Sequence, residues 1–301
     1  MKPWRLAAAA LYRAGYVLHH KLCLKPGRPL AHARLIVVGS YLAGGAGKTP
    51  FCIWLASFLA SRNGDGENAQ PPRIAILCHS KAKDEAELLG QKLPFARVAT
   101  THNRYIAAHA LDRHFDYIIC DDGFEDSRLA GATTIRLDWG EGSTAKIPNK
   151  LSDLIPAGKY RSLFCDHGEA ALVLRCGNDP ALDNANVYYL IEGVKNNRDK
   201  SILENARAKE ATVLCAIGDP RRFVEDLERF GVKPRRVKKR PDHDSRFESA
   251  LARELRSGRP VVITEKDAVK VATKFLQSAN LYIARQKVVV SEQIQQKIAY
   301  L

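Results

Sequence analysis

The sequence contains no C-x-x-C pair, and its seven cysteines (Cys23, Cys52, Cys78, Cys120, Cys165, Cys176 and Cys215) are odd in number and scattered. That excludes a regular disulfide framework and points to a reducing compartment. Several of them fall inside apolar strand-like runs, where cysteine behaves as a small hydrophobe. Cys165, His167 and Cys176 are near one another in the chain, but their spacing matches no standard zinc pattern. Low-complexity tracts and internal repeats are also missing, which leaves a globular chain whose 301 residues suffice for one large or two ordinary domains. Acidic charge is in short supply. Thirty-three Asp and Glu against 47 Lys and Arg give a net charge of +14, an excess that implies an anionic partner. Nucleic acid, an anionic membrane surface and a phosphorylated substrate all meet that requirement. The basic run Lys233–Arg240 has no interleaved aromatic residue, so it reads as a solvated or phosphate-facing surface rather than a nucleic-acid site.

The N-terminal segment lacks the roughly 20 apolar residues of a spanning helix, because Arg5 and Arg13 interrupt it, and Arg13 also breaks any signal-peptide core. At about 100° per residue, Trp4, Leu11, Leu18 and Leu22 share one stripe with Arg13 opposite. This amphipathic pattern fits two outcomes: a helix lying at a membrane interface, or an ordinary helix packed on the body of the protein.

What is present is concentrated between Leu35 and Phe58. A β-branched run, Ile36-Val37-Val38, stops at Gly39; Gly44, Gly45, Ala46 and Gly47 follow; Lys48, Thr49 and Pro50 then open an apolar-periodic helix. Glycines let backbone N–H groups close around a phosphate, and a helix N-terminus adds unpaired donors. Lys48 supplies a point charge for the β/γ-phosphates and Thr49 a hydroxyl for Mg²⁺, while Pro50 falls in the first turn, where a missing N–H costs little. The strict G-x-x-x-x-G-K-[ST] pattern fails at Leu42, so this is a variant P-loop, G-G-x-G-K-T.

Further strands are expected at 73–78, 117–120 and 134–137, and helices at 48–62, 84–93 and 105–113, with a solvated loop at 63–72. Continuous apolar strands alternating with helices predict a doubly covered parallel sheet of P-loop NTPase type. The Gly-, Pro-, Ser- and Lys-rich stretch around 139–165 marks a boundary near residue 150. The expected organisation is therefore a helix over 1–30, a P-loop domain over 31–150 and a smaller α/β domain over 151–301, whose C-terminal tail is free to return to the first domain. In that last part, strands are expected at 171–175, 187–191, 211–216 and 260–264, and helices at 222–230 and 245–257.

Three constellations join the glycine loop. Asp121-Asp122 ends an apolar strand, where P-loop enzymes place an Asp to hold Mg²⁺ or its water shell, with Glu125 three residues on; Asp-Asp-Gly is equally a common turn. Pro241-Asp242-His243-Asp244 sets a histidine between two carboxylates, as a general base or a solvated turn would. Thr264-Glu265-Lys266-Asp267-Ala268-Val269-Lys270 reads mostly as a capped helix start.

Taken together, VVGSYLAGGAGKTP (37–50), DDGFEDSRL (121–129), PAGKYR (156–161), AIGDPRRFVEDL (216–227), PDHD (241–244) and TEKDAVK (264–270) resemble, in order and spacing, the tetraacyldisaccharide 4'-kinase family. The resemblance implies an ATP- and Mg²⁺-dependent kinase of lipid A biosynthesis, acting on a phosphorylated acylated glucosamine disaccharide at the cytoplasmic face of a Gram-negative inner membrane. It also favours the interfacial reading of the N-terminal helix and gives the basic charge anionic lipid, ATP and glycolipid as partners, with no nucleic acid. By this resemblance Lys48 is the phosphate lysine, Thr49, Asp121, Asp122 and Glu125 surround the metal, Asp84 is the base, His243 is its partner, and Arg104 and Arg161 are phosphate-facing. Two departures stand out. The family's Arg-Gly-Tyr-Gly segment is missing, His79-Ser80-Lys81 running almost directly to Asp84, and Glu125 replaces a family Gln. Two rival readings are a switch or partitioning ATPase, which usually carries a Lys where this chain has Ala43, and a catalytically impaired nucleotide-binding relative of the kinase.

Overall fold

The computed structural model describes every residue except 1, 24, 63–69, 130, 141–147, 164, 166–169 and 243, and the side chains of 205 and 206. His243, His167 and most of the expected 63–72 loop therefore lie outside the described residues. The chain forms two compact units, residues 1–187 with 290–301 and residues 188–289.

In the first unit, helix α1 (Pro3–Cys23) leads to β1 (Arg34–Gly39) and α2 (Lys48–Ala60); then follow β2 (Ile74–His79), α3 (Lys83–Lys92), β3 (Arg97–Thr101), α4 (Arg104–Leu111), β4 (Tyr117–Asp121), β5 (Thr133–Trp139) and β6 (Leu172–Gly177). The strands lie in the order β3-β2-β4-β1-β5-β6, and the pairs β3·β2, β2·β4, β4·β1, β1·β5 and β5·β6 are all parallel. β1, β2 and β4 are buried almost throughout, as central strands of a doubly covered parallel sheet must be. On one face Val37, Ala75, Leu77, Ile118 and Cys120 pack with Ala108, Tyr105 and Leu111 of α4. Helix α2 buries Phe51, Cys52, Leu55, Ala56 and Leu59.

Two elements depart from expectation. β3 has no buried residue and no apolar run to announce it, because it is an edge strand with one neighbour. The boundary expected near residue 150 falls inside the first unit: β6 extends the first sheet beyond β5, so the division comes at 187/188.

The second unit holds β7 (Val187–Asn196), α5 (Asn205–Ala208), β8 (Thr212–Cys215), α6 (Pro220–Arg229), β9 (Arg236–Lys239), α7 (Phe247–Leu255), β10 (Val261–Thr264), α8 (Glu265–Ala268), α9 (Thr273–Leu276) and β11 (Leu281–Val290). Strand order is β7-β11-β10-β8-β9, with β11·β10, β10·β8 and β8·β9 parallel. The basic run contains edge strand β9, whose Lys238 pairs with Glu254. A closing helix, α10 (Glu292–Ala299), belongs to the first unit, where Ser291 N donates to the Asn186 carbonyl.

α1 resolves its two alternatives in part. Ala9 is buried against Leu154 and Leu163, and Tyr12 Oη donates to the Arg161 carbonyl at 2.8 Å. Trp4, Leu11, Leu18 and Leu22 stay exposed, Leu11 at 75 %. No described helix is long and apolar enough to cross a membrane. The link from α1 to β1 is pinned by Asp112, whose carboxylate accepts the amides of Ala31, His32 and Ala33. Burial works against that charge, but the three donors outweigh it and hold Asp112 below the usual carboxylate range. All seven cysteines are free. Burial pushes the Cys120 and Cys215 thiols up to about 12, so they are inert as nucleophiles at neutral pH.

Candidate active site

The glycine loop leaves β1 at Gly39 and turns into α2 through Gly45 at φ 69° and Gly47 at φ 73°, left-handed conformations that L side chains adopt only with strain. Gly47 is the N-cap and offers no side-chain cap, so the helix opens without a side chain on its first amides. Trp139, at the end of β5, donates its indole N–H to the Ala46 carbonyl at 2.9 Å and holds the tip of the loop. Gly39 is required by close approach: a Cβ there would lie 2.1 Å from Phe124 Cβ. The Phe124 ring meets Tyr41 edge-on at 5.5 Å, which seats the Asp121–Phe124 turn directly on the loop.

That turn delivers two carboxylates in different directions. Thr49 Oγ1 donates to Asp121 Oδ2 at 2.8 Å, while Asp121 Oδ1 is buried with no hydrogen bond. Asp122, at φ 63°, receives Lys48 Nζ at 3.4 Å and both contacts of Arg161 Nη1 at 3.0 and 3.1 Å. Burial raises the Asp121 carboxyl above its ordinary value, with the Thr49 hydroxyl and Lys48 opposing. At Asp122 burial pulls the same way, yet Lys48 and Arg161 outweigh it and the carboxyl is held below the usual range. Glu125 is also raised by burial, against Arg161, whose Nε stands 3.6 Å from Glu125 Oε1.

Arg161 comes from a segment that reads as a linker in sequence but is a packed strap. Asp153 Oδ2 accepts the amides of Asn149 and Lys150 and closes the turn ahead of it. The strap then runs along the glycine loop: Ala43 N donates to Lys159 O, Leu42 bridges Tyr160, and Arg161 N donates to Tyr41 O at 2.8 Å. Arg161 Nε reaches Leu42 O at 3.2 Å. A Cβ on Gly158 would lie 2.2 Å from the Asp153 carbonyl, which is why this tight turn takes Gly. Leu42, the position that breaks the strict P-loop pattern, is thus a docking point for the strap.

Arg104 Nη2 donates to the Asp121 carbonyl at 3.1 Å, and its buried Nε has no hydrogen bond. Tyr41, Trp139 and Arg136 were not among the expected site residues. Arg136 is buried, pairs with both oxygens of Asp138 at 2.9 Å, and lies 4.9 Å over the Tyr41 ring. Its signal was available, since Arg136 and Asp138 two apart in a strand share a face.

The structure therefore brings together Lys48, Thr49, Asp121, Asp122, Glu125, Arg104 and Arg161. Among the described residues no three His, Cys, Asp or Glu converge as a metal cage. The four expected metal groups split instead, Thr49 and Asp121 facing each other while Asp122 and Glu125 turn to cations. Of the Cys165, His167 and Cys176 trio, Cys165 is exposed and Cys176 buried. Asp84 and Glu85 occupy the first turn of α3.

In the second unit the carboxylates next to His243 in sequence are both engaged, Asp242 by Lys266 at 3.1 Å and Asp244 by Arg240 at 2.5 Å. The 264–270 segment is a buried junction. Thr264 caps α8 and donates to Asp267, and the Asp267 carboxylate also takes Ala216 N and Lys270 Nζ.

A family model described as tetraacyldisaccharide-1-P 4'-kinase matches residues 3–300. A tetraacyldisaccharide 4'-kinase of Rhodopseudomonas palustris is 30% identical over 272 residues, 82% of this chain and 76% of the relative. One from Chlamydia caviae is 27% identical over 302 residues, covering 89% and 78%. One from Photobacterium profundum is 30% identical over 252 residues, covering 78% and 70%. Among solved structures, LpxK of Aquifex aeolicus, crystallised in complex with ATP, superposes with a TM-score of 0.65 over 98% of this chain and 97% of its own. At 19% identity that likeness speaks for the fold.

Proposed function

The chain belongs to the tetraacyldisaccharide 4'-kinase family, and on that premise we propose how its own residues move the γ-phosphate of ATP to the 4'-hydroxyl of a tetraacylated glucosamine disaccharide 1-phosphate, giving lipid IVA. The observation that carries the assignment of roles is the pair of contacts at one loop, Lys48 on Asp122 and Thr49 on Asp121. The amides of residues 44–49 cradle the phosphates. Lys48, already desolvated at 11 % side-chain exposure, exchanges its contact with Asp122 for the β/γ-phosphates.

Mg²⁺ fits the remaining donors: Asp121 Oδ1 is a buried oxygen without a hydrogen bond, beside the Thr49 hydroxyl. Thr49 and Asp121 would hold the ion, with Asp122 and Glu125 toward its water shell. When bound, it neutralises charge on the transferring phosphoryl group. Arg161 keeps Asp122 ionised and holds Glu125 in place. Asp84 takes the proton as the sugar oxygen bonds to the γ-phosphorus and the bond to the β-phosphate oxygen breaks, releasing ADP. His243, by the same family resemblance, is proposed as a second acid–base residue of the reaction.

Labelled ATP with tetraacyldisaccharide 1-phosphate in detergent tests this reading: Mg²⁺-dependent transfer of label to the lipid is expected. Label appearing only in inorganic phosphate would contradict it and favour the switch-ATPase alternative.

The enzyme works at the cytoplasmic face of the inner membrane through the exposed stripe of α1. Each buried Leu contributes about 1.5–3 kcal/mol, so the combined substitution Leu11→Glu, Leu18→Glu and Leu22→Glu is expected to abolish co-sedimentation with anionic vesicles while leaving the melting temperature unchanged. Retained co-sedimentation would remove α1 from the membrane contact.

A further inference from the structure

We propose that His79, supported by Ser80 and His102, binds the acceptor sugar beside the phosphate site, in the place where the family's Arg-Gly-Tyr-Gly segment is missing from this chain. The inference rests on the kinase reading above and adds an acceptor-side residue to it. Its basis is position first. The pairing of β2 with β4 runs to Leu77 and Cys120; His79 then ends β2 and Asp122 follows β4, so both leave the same edge of the sheet on neighbouring strands. Side chains alternate along a strand, so His79 shares the face on which Ala75, Leu77 and Cys120 meet α4. Arg104 opens that helix and holds the Asp121 carbonyl. The residue therefore stands at the carboxyl edge of the sheet, on the side of Asp122 away from the glycine loop, where an acceptor would approach the γ-phosphate.

The local hydrogen bonds fix the ring. Lys81 N donates to His79 Nδ1 at 3.1 Å, so the neutral imidazole carries its proton on Nε2. Ala82 N donates to the His79 carbonyl at 2.8 Å and closes the turn, and Ser80 N continues the pairing with β3 at Thr101 O. Ser80 Oγ is 2.8 Å from His102 Nδ1, and the His102 ring meets His79 edge-on at 6.1 Å. Burial, with Arg104, His102 and Lys81, lowers the His79 pKa against the pull of Asp122, which keeps the ring neutral at pH 7. A neutral, tautomer-fixed donor suits a sugar oxygen and adds no charge next to the transferring phosphate. The neighbouring Arg104 Nε, buried without a hydrogen bond, marks the same edge as incomplete without a ligand.

The test is equilibrium binding of tetraacyldisaccharide 1-phosphate in detergent micelles, with ADP binding and phosphate transfer measured on the same proteins. His79→Ala is expected to weaken acceptor binding tenfold or more with ADP affinity within twofold. His79→Gln, which keeps an N–H donor, should recover acceptor binding to within threefold of the native protein. His102→Ala, which frees Ser80 and the edge of the His79 ring, should weaken it about threefold. Acceptor binding unchanged in His79→Ala, equal loss of acceptor and ADP binding, or no acceptor binding by the native protein would overturn the proposal. A native protein that transfers phosphate while His79→Ala keeps its acceptor affinity refutes only this inference. One that binds acceptor through His79 yet transfers nothing refutes the kinase roles and leaves this inference standing.

Discussion

Lys48→Ala is expected to reduce phosphate transfer by roughly 10²–10³-fold, the loss typical of removing one preorganised charge from a phosphoryl or oxyanion site. The side chain is 11 % exposed and pairs with Asp122, so the substitution removes one ion pair and the packing of one aliphatic stem at the first turn of α2. Alanine is the best helix former, and the first turn of α2 should persist. Asp122 keeps Arg161 at 3.0 Å, which preserves the turn. The loss should therefore appear chiefly in kcat, with the melting temperature close to that of the native protein. Lys48→Arg should not restore activity: a planar fork does not replace a compact ammonium in a loop whose backbone fixes where the charge sits. Transfer retained within fivefold in Lys48→Ala would mean that the glycine loop is not the phosphate site.

Asp121→Asn should separate function from folding. The amide oxygen can still accept from Thr49, and the shape is unchanged. The native carboxyl has its pKa raised by burial, with Thr49 and Lys48 opposing. A folded-state pKa above the unfolded value means that the folded protein holds this proton more tightly. The contribution therefore favours folding below the unfolded pKa, and that advantage is lost as pH rises through the folded pKa. At neutral pH the native protein bears the cost of a buried ionised group and the Asn variant does not. Its melting temperature at pH 7 should be equal or higher. Transfer should nevertheless fall by about 10²-fold, with the Mg²⁺ concentration for half-maximal rate raised about tenfold or more. Thermal melts and a Mg²⁺ titration of the transfer rate check both halves. A variant that lost stability and kept its Mg²⁺ dependence would make Asp121 a structural residue.

These two variants act on the part of the molecule most legible in the sequence. Ile36–Val38, the glycines and the apolar face from Phe51 to Leu59 announce strand, loop and helix because each pattern is local. Asp121-Asp122 was legible as a strand end, but the division of labour within it was not. That depends on Arg161, which lies 39 residues from Asp122 and 119 from Leu42. Nothing local tells a reader that the Gly- and Pro-rich stretch before Arg161 is hydrogen-bonded along Tyr41–Ala43 rather than free in solvent. Composition signals irregular backbone, and irregular backbone can be either a linker or a packed strap. The same limit hid β3 and β9. Edge strands have one exposed side, so β3 shows a broken apolar pattern and β9 a run of cations that blunts an open edge. His79 was legible as a departure from the family pattern; its place at the same sheet edge as Asp122 emerged only from the β2–β4 pairing.

The central claim is that the loop and its carboxylates serve transfer to a defined sugar hydroxyl. Phosphorus NMR of the lipid product tests it most directly, after native protein has acted on ATP, Mg²⁺ and tetraacyldisaccharide 1-phosphate. The account predicts one new phosphomonoester resonance coupled to the 4' proton of the distal glucosamine, present with native protein and lost to background with Lys48→Ala. A product unchanged from the 1-phosphate, or a new phosphate on any other oxygen, would contradict it.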